Sequence, residues 1–255
     1  MKYVAQQEAG PMPVPLLAER RQQAMVGLKH AMALDPERGA PFISIHRKWT
    51  PEGGGPASYP GNAHETLDSA LSSVFYLADK TQSDVYWSMG AQAIAGEKHP
   101  KVPFPKAVRQ GPNIVQNRCL YIDSDVKPAD HPDVTGTPGS PGKPAKPPSA
   151  YASSREAAAA LLDFIDALAV EPTMIVGSGR GGFHIYWRLV EPVTPAQFGI
   201  MAGGLVASAV KSKLRFDRQC TGDITRLLRP PGTWNFKRGT GDKALPVVII
   251  YLGAE

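Results

Sequence analysis

The segment LYIDSDV, residues 120–126, joins an apolar run to two carboxylates that are two positions apart. The apolar run predicts a β-strand, and alternate side chains of a strand project from one face, so Asp123 and Asp125 should converge. Neighbouring carboxylates raise each other's pKa unless a cation compensates them, and Mg²⁺ or Mn²⁺ prefers oxygen ligands of this kind. Taken alone, an Asp-x-Asp is more often a solvated acidic strand end, so a metal site needs support from other motifs.

A glycine-rich loop follows in MIVGSGRGGFHIYW, residues 174–187. The apolar ends predict two strands, and the glycines between them would let backbone N–H groups approach a phosphate. Ser178, Arg180 and His184 would supply further donors. Because a strand rather than a helix follows the loop, the segment is neither a Walker loop nor a dinucleotide-binding fingerprint. A tight β-hairpin with a half-buried histidine is the alternative interpretation.

The third motif, GDITRLLRPPGTWNFKR at residues 222–238, combines an acid with several cations. Asp223 adds a third carboxylate. Arg226, Arg229 and Lys237 suit a triphosphate, since arginine binds it as a planar fork and lysine as a point charge. The alternative is a solvated contact between Asp223 and Arg226 at i+3. Each of the three motifs is weak alone, and the interpretation depends on their combination.

Helix and strand signals alternate along the rest of the chain. Apolar residues at helical spacing mark the helices, and runs of β-branched and aromatic residues mark the strands. The alternation predicts an α+β or α/β protein whose sheets are covered by helices. The predicted helices are 16–34, 63–80, 154–170 and 194–214, and the predicted strands are 42–46, 84–89, 113–123, 173–176, 183–189 and 247–251.

Glycine and proline are unusually frequent, with 25 of each among the 255 residues, which excludes a helical bundle. They cluster at residues 50–62 and 131–149. The second cluster has no apolar period, so we expect a mobile insertion there. A hydrophobic fraction of 42% is enough for one domain of two lobes.

The cysteines, the N-terminus and the charge bear on compartment and partners. Cys119 and Cys220 have no second cysteine or histidine at ligand spacing, which argues against a disulfide scaffold or a zinc site. No signal-peptide core or long apolar run occurs, so we expect a soluble cytoplasmic protein without a membrane partner. The net charge is +5, and nine of the 28 basic residues lie within 211–243, which carries three acids. This basic patch around Asp223 permits nucleic acid as a partner.

In their order along the chain, the three motifs resemble those of the archaeo-eukaryotic primase superfamily, and more narrowly the primase-polymerases of plasmids, phages and other mobile elements. That superfamily carries an acidic pair at a strand end, a small-residue-x-His strand after a glycine-rich turn, and a later single aspartate. The resemblance spans residues 42–251 and is most specific over 123–237. Asp123 and Asp125 match the first signature, Gly182-Phe183-His184 the second, and Asp223 the third.

The resemblance implies a two-lobed fold, in which a catalytic sheet like that of an RNA-recognition motif packs on an N-terminal α/β lobe. Residues 1–38 would form an N-terminal helical extension and residues 39–255 the catalytic domain, interrupted by the insertion at 131–149. The catalytic residues, which would hold two divalent ions, Mg²⁺ or Mn²⁺, are Asp123, Asp125 and Asp223. The nucleotide-binding residues would be Ser178, Arg180, Gly182, His184, Arg226, Arg229 and Lys237.

The activity that the resemblance implies is template-dependent nucleotidyl transfer by a DNA primase or primase-polymerase that replicates a plasmid, phage or mobile element. Its partners would be a single-stranded DNA template, a primer strand and nucleoside triphosphates, and the family also allows a helicase or a C-terminal helical module. The sequence has no Cys/His cluster for the zinc-binding stem of some members, so template contact must rest on basic and aromatic surface. The basic strand end His46-Arg47-Lys48 is one candidate for that contact.

Two other functions compete with this interpretation. One is a non-catalytic, RNA-recognition-motif-like domain that binds single strands within a replication-initiation protein, and it would need neither three carboxylates nor a triphosphate site. The other is a histidine-dependent nicking enzyme, which calls for paired metal-binding histidines and a nucleophilic tyrosine. His184 stands beside Tyr186 without a second histidine, so the nicking enzyme is the weakest of the three.

Overall fold

Two larger sheets, a two-stranded ribbon and six helices make up the computed structural model, which describes residues 16–51, 55–100, 102–139, 144–237 and 244–253. The helices are α1 (Leu17–Ala31), α2 (Leu67–Phe75), α3 (Pro132–Thr135), α4 (Ser154–Leu168), α5 (Pro195–Lys211) and α6 (Arg218–Gly222), with a π-helical turn at Tyr76–Lys80 and a 3₁₀ turn at Gly111–Asn113. The strands are β1 (Ile43–Arg47), β2 (Gly61–His64), β3 (Val85–Ser88), β4 (Gly90–Gln92), β5 (Ile114–Val126), β6 (Ala150–Tyr151), β7 (Met174–Gly177), β8 (Phe183–Val193), β9 (Leu227–Leu228), β10 (Trp234–Asn235), β11 (Leu245–Pro246) and β12 (Val248–Leu252).

The larger sheet has the strand order β12-β7-β8-β5-β4, and β6 adds a short parallel pairing to β5. Its two long central strands, β5 and β8, are antiparallel, and their register sets Asp123 directly opposite His184. β7 and β8 form a hairpin, so the glycine-rich loop between them lies at the same end of the sheet as the acidic pair. Strand pairing therefore brings the first two sequence motifs together.

The smaller sheet has the order β2-β1-β3-β9 and is antiparallel throughout. β3 continues through Met89 into β4, which belongs to the larger sheet, so the two sheets are joined by one nearly continuous segment. β9 follows Asp223 in the chain and pairs with β3. This pairing carries the third motif from the larger sheet to the smaller one.

The core is divided between the two faces of the larger sheet. Along β5, Tyr121 points into a cluster that α1, α2, β1 and β3 also fill, whereas Ile122 points into a cluster beneath α4 and the end of α5. This alternation is the period-two pattern of a strand that is buried on both faces. Each large apolar side chain that is fully buried contributes about 1.5–3 kcal/mol to stability.

Helix α1 lies within the region that the sequence predicts as an N-terminal extension, residues 1–38. Its Ala24 and Leu28 are completely buried in the same cluster as Tyr121. Gly27 packs so tightly on Pro231 and Trp87 that a Cβ atom there would lie 2.7 Å from each side chain. The described part of the extension is thus packed into the core, and residues 1–15 lie outside the described residues.

Most predicted elements are present, with shifted ends. The predicted helix 63–80 begins at Leu67, because residues 61–64 pair with β1 instead and Thr66 caps the helix. The predicted strands 113–123 and 183–189 extend to Val126 and Val193 as β5 and β8, since each offers the other a long pairing edge. Ser153 caps α4, and Pro195 opens α5.

The predicted mobile insertion, residues 131–149, has local structure in its described parts, 131–139 and 144–149. It contains α3, a bridge between Thr137 and Lys146, and a contact of 3.2 Å between Lys146 Nζ and Asp133 Oδ1. Residues 140–143 lie outside the described residues, as do 52–54 of the other glycine- and proline-rich loop. The mixed α and β class is confirmed. None of the helices in the described ranges is long and apolar enough to cross a membrane.

Candidate active site

A cleft of about 280 Å³ is lined by residues of both sheets, and we call it the polar cleft. Gly182 borders β5 at such close range that a Cβ atom there would lie 2.6 Å from the Ser124 carbonyl oxygen, which requires glycine. Apart from Gly182, all of the predicted site residues line the cleft: Asp123, Asp125, Ser178, Arg180, His184, Asp223, Arg226, Arg229 and Lys237.

The acidic pair lies on one face of β5, with side-chain exposures of 13% for Asp123 and 40% for Asp125. Burial, followed by the charge of Asp125, raises the pKa of Asp123 to about 7, and Arg226 opposes the shift only in part. Lys127 lies beside the outer member of the pair, with 3.2 Å between its Nζ and Asp125 Oδ2. The pair is therefore an acidic site with incomplete internal compensation.

His184 lies across the sheet from Asp123, with 3.7 Å between its Nε2 and Asp123 Oδ1. Burial, assisted by the charge of Arg229, lowers the pKa of His184 to about 3. Its Nδ1 is buried and has no hydrogen-bond partner in the described part of the chain. At neutral pH His184 is therefore a neutral imidazole rather than a cation.

Arg226 bridges Asp123 to an aspartate that the sequence motifs did not include. Its Nη2 lies 3.4 Å from Asp123 Oδ2 and 3.1 Å from Asp217 Oδ2. Asp217 caps α6, and its backbone N–H donates to the Asp123 carbonyl oxygen at 3.0 Å. In the sequence Asp217 directly follows an apolar residue, Phe216, as Asp123 follows Ile122. This pattern could have identified Asp217 as a candidate, and Phe216 is indeed buried.

Asp223, the predicted third carboxylate, lines the cleft but is engaged locally. Its Oδ1 accepts hydrogen bonds from the backbone N–H and the hydroxyl of Thr225, at 2.9 and 2.6 Å. Its backbone carbonyl accepts from the Tyr121 hydroxyl at 2.6 Å. The alternative side-chain pair with Arg226 is not formed, since that guanidinium contacts Asp123 and Asp217. In the described ranges, no three histidine, cysteine or acidic side chains form a group that could hold a metal ion.

The glycine hairpin between β7 and β8 is rigidly bent. Gly179 and Gly181 have φ of +81° and +84°, which side-chain-bearing residues rarely adopt. The Ser178 N–H donates to the Gly182 carbonyl at 2.9 Å, and the Asn235 amide donates to the Ser178 carbonyl at 2.8 Å. The hairpin is thereby tied to β10, two residues before Lys237.

Arg229 is placed differently from the other predicted cations. Its Nε and Nη2 donate to Asp84 Oδ1 at 3.2 and 3.1 Å, and its Nη2 also donates to the Tyr86 hydroxyl at 2.7 Å. Asp84 is further tied down by the Phe236 N–H at 3.0 Å. Burial and the neighbouring charge of Arg229 lower the pKa of Lys237.

Several residues of the cleft come from parts of the chain that no motif covers. Arg109 reaches it from the loop after β4, and its Nη1 donates to the Thr225 carbonyl at 2.9 Å. Tyr59 packs edge-on against Tyr86, with 5.3 Å between ring centroids. Two of these lining residues had a local sequence signal: Lys127 follows Asp125 by two positions, and Lys48 belongs to the basic strand end 46–48. In total the cleft lining includes seven cations, Lys48, Arg109, Lys127, Arg180, Arg226, Arg229 and Lys237, and three carboxylates.

Comparison with known proteins gives matches in structure. No protein-family model and no curated protein sequence matches this chain. The archaeo-eukaryotic primase (AEP) domain of the cyanophage S-2L primase-polymerase matches 92% of this chain and 91% of its own, with a TM-score of 0.53 and 14% sequence identity. The catalytic domain of primase RepB′, in complex with initiator DNA, matches 91% of this chain and 85% of its own, with a TM-score of 0.47 and 14% identity.

The fold is similar to that of an archaeo-eukaryotic primase domain, so the resemblance to this class is confirmed at the level of the fold. The particular domain that this chain is similar to over nearly the whole of both chains is that of the cyanophage S-2L primase-polymerase.

Proposed function

We propose that this protein is a cytoplasmic, template-dependent nucleotidyltransferase, a primase or primase-polymerase of a plasmid, phage or mobile element, which joins nucleoside triphosphates on single-stranded DNA. The observation that carries the proposal is the polar cleft, where the acidic pair, the glycine hairpin and seven cations line one space. A triphosphate with divalent counter-ions needs carboxylates and cations in the same site. The fold shared with a primase-polymerase domain supports the proposal.

The acidic pair fits a divalent cation. The pKa of Asp123 is raised to about 7 by burial and by Asp125, and a cation bound to both carboxylates would remove that penalty. Asp123 and Asp125 would hold Mg²⁺ or Mn²⁺, and either Asp223 or Asp217 would complete the ligand set. When bound, a pair of such ions activates the attacking 3′ hydroxyl and neutralises charge on the departing pyrophosphate.

The remaining side chains of the cleft would bind and orient the nucleotide. Arg180 and Lys237 would contact the triphosphate as cations, with Ser178 and the hairpin N–H groups as neutral donors. His184, whose pKa is lowered to about 3, would act as an uncharged hydrogen-bonding group. Arg229 would supply positive charge from a fixed position, since Asp84 and Tyr86 hold its guanidinium.

A non-catalytic domain that binds single strands is the second candidate. It is favoured by the excess of cations over carboxylates in the cleft, and by the absence of an assembled three-ligand metal group in the described ranges. A pure binding domain should show no Mn²⁺-dependent affinity for a nucleoside triphosphate. The nucleotidyltransferase should show that dependence, because Asp123 and Asp125 would hold a metal ion that neutralises charge on the triphosphate.

Incorporation of a labelled nucleotide on a single-stranded template tests the proposal. We expect metal-dependent incorporation by the wild type and a loss of about a thousandfold or more in Asp123→Asn and in Asp223→Asn, equivalent to several kcal/mol of transition-state stabilisation. Asp163→Asn, at an exposed position of α4, is the matched control and should keep the wild-type rate.

The same assay with Asp217→Asn distinguishes the two candidates for the third ligand. The larger loss of incorporation between Asp217→Asn and Asp223→Asn identifies the carboxylate that the reaction needs. Wild-type rates in both Asp123→Asn and Asp223→Asn would contradict the proposal.

A further inference from the structure

A second cavity of about 1480 Å³ lies beside the polar cleft, and we call it the basic groove. Its walls are formed by the end of β1, the edge of β2, the π-helical turn after α2, and the loop residues 96–100 and 102–110. Arg109 lines the polar cleft and the basic groove, so the two spaces adjoin at this residue. A ligand that fills the groove can therefore reach the proposed site of reaction.

The loop that forms one wall of the groove is attached to the smaller sheet. The Ala107 N–H donates to the Gly61 carbonyl of β2 at 2.9 Å. The ring of Phe104 packs on His64, also of β2, with 4.4 Å between ring centroids. These contacts attach the loop to β2 on both sides of Lys106.

Charge selects a polyanion as the occupant. Arg47, Lys98, Lys106 and Arg109 line the groove, and Glu97 is the single acid among its described lining residues. Lys98 and Lys106 are exposed, and none of the four cations forms an ion pair with a described residue. Such an excess of uncompensated cations attracts a phosphate backbone and releases its counter-ions on binding.

Size and aromatic content favour a single strand over a small molecule. Small-molecule pockets measure about 300–1,000 Å³, whereas this groove is larger, and its largely apolar lining carries, among the described residues, four cations and a single acid. Tyr76, which is 63% exposed, and Phe104 offer ring faces beside the cations. Cations for the backbone together with ring faces for unpaired bases are what single-stranded nucleic acid needs, and a duplex conceals its base faces.

We infer that the basic groove binds single-stranded DNA and leads the template strand into the polar cleft past Arg109. The inference rests on the proposed function and gives its template a path. Because the sequence has no Cys/His cluster for a zinc-binding stem, template contact was expected to rest on basic and aromatic surface. The inference identifies the basic groove as that surface.

Anisotropy of a labelled 20-nucleotide single strand, titrated with the full chain without metal or triphosphate, tests the groove independently of catalysis. We expect Lys98→Gln with Lys106→Gln to weaken binding about tenfold and to reduce the slope of log Kd against log salt by about 0.7 for each phosphate that the variant no longer binds. Lys29→Gln with Arg38→Gln, two exposed cations outside the basic patch 211–243 and outside the groove, is the matched control and should bind like the wild type.

The aromatic contribution has a different signature. Tyr76→Ala should weaken binding about fivefold without changing the salt dependence, and Tyr76→Phe should restore the affinity, because stacking uses the ring and not the hydroxyl. Wild-type affinity in the double lysine variant, or tighter binding of a duplex or of single-stranded RNA than of single-stranded DNA, would overturn the inference.

Parallel incorporation assays separate this inference from the proposed function. Normal incorporation with unchanged DNA affinity in the double lysine variant would contradict DNA binding in the groove. The proposed nucleotidyltransferase activity would still stand. Groove-dependent DNA binding by a wild type that incorporates no nucleotide would support the groove and contradict the enzyme.

Discussion

The two charged walls of the polar cleft handle their charge in different ways. The acidic wall consists of Asp123 and Asp125, which line the cleft, together with Asp217, which is outside the cleft lining but shares the Arg226 guanidinium with Asp123. A single guanidinium, that of Arg226, bridges Asp123 and Asp217, while Asp125 has only the partly exposed Lys127. Burial with incomplete compensation raises the pKa of Asp123 to about 7.

The basic wall is centred on Arg229 and is already paired. Its guanidinium makes two hydrogen bonds to the buried Asp84 and one to Tyr86, and it lies over the Tyr86 ring at 4.8 Å from the centroid. Asp84 and Arg229 have side-chain exposures of only 8% and 7%. This pair is part of the folded structure before any ligand arrives.

The contrast distinguishes charged groups that stabilise the fold, such as Arg229 and Asp84, from charged groups that are available to a ligand, such as Asp123 and Asp125. A buried pair with good geometry makes its partners dependent on each other, so that removal of one leaves an isolated buried charge. Carboxylates that repel each other weaken the fold and await a cation, which is the arrangement expected at a binding site. Variants of the basic wall should therefore damage stability, and variants of the acidic wall should damage function.

The largest effect on stability is expected for Arg229→Met. The change leaves the Asp84 carboxylate buried without its cation, and the free energy of unfolding should fall by about 3–5 kcal/mol in urea denaturation. Arg38→Met, which removes an exposed pair with Glu191, is the control and should cost less than about 1 kcal/mol.

A second variant shows whether the charge itself is responsible. Asp84→Asn combined with Arg229→Met should recover part of the stability, because no isolated charge remains. A decrease of less than about 1 kcal/mol in Arg229→Met would mean that the basic wall is no more integral to the fold than the acidic wall.

Sequence patterns predicted the acidic wall better than the basic wall, for a physical reason. Asp123 and Asp125 converge because of strand geometry over two residues, and the glycine hairpin is equally local. Arg229 meets Asp84 across 145 positions, and Arg226 meets Asp123 across 103. Contacts of this kind depend on strand register, which local periodicity does not encode.

The same limit explains the element ends and the missed aspartate. Ala63 and His64 fall within the predicted helix 63–80 but belong to β2, because β1 offers them a pairing edge. The third motif of the resembled superfamily is a single aspartate that follows the glycine-rich turn in the chain. Both Asp217 and Asp223 match that description. Only the fold shows that Arg226 ties Asp217, and not Asp223, to Asp123.

The next effect concerns the pH dependence of stability. It compares three buried histidines, of which His184 lines the polar cleft, with Asp123 of the acidic wall. Burial lowers the pKa of His46 and of His64 to about 4, and that of His184 to about 3, from an unfolded value of 6.5. Between about pH 6.5 and pH 4 these histidines are therefore protonated in the unfolded chain but not in the folded chain, so acidification favours unfolding. Each histidine should cost up to about 1.4 kcal/mol of stability per pH unit in that window.

Asp123 acts with the opposite sign. Its pKa rises from 3.8 to about 7 on folding, so acidification from pH 7 to 4 adds stability through this residue. Three histidines outweigh one aspartate, and thermal melting should show a net loss of stability below about pH 6. His64→Gln should flatten the profile. A flat wild-type profile between pH 6.5 and 4 would contradict the assignment of neutral buried histidines.

The smallest effect is the most specific to the acidic wall. Asp123→Asn should raise the free energy of unfolding by about 1 kcal/mol at pH 8, because the amide removes repulsion from Asp125 and Asp217 while Arg226 keeps its contact with Asp217. At pH 5 the gain should be smaller, since Asp123, with a pKa of about 7, is already neutral in the folded protein, and it should vanish only near pH 3.8, where the unfolded carboxyl is protonated as well. Urea denaturation at both pH values measures this difference, with Asp163→Asn, at an exposed position of α4, as the control. A loss of stability at pH 8 would show that Arg226 compensates Asp123 as fully as Asp84 compensates Arg229, and the two walls would then no longer differ.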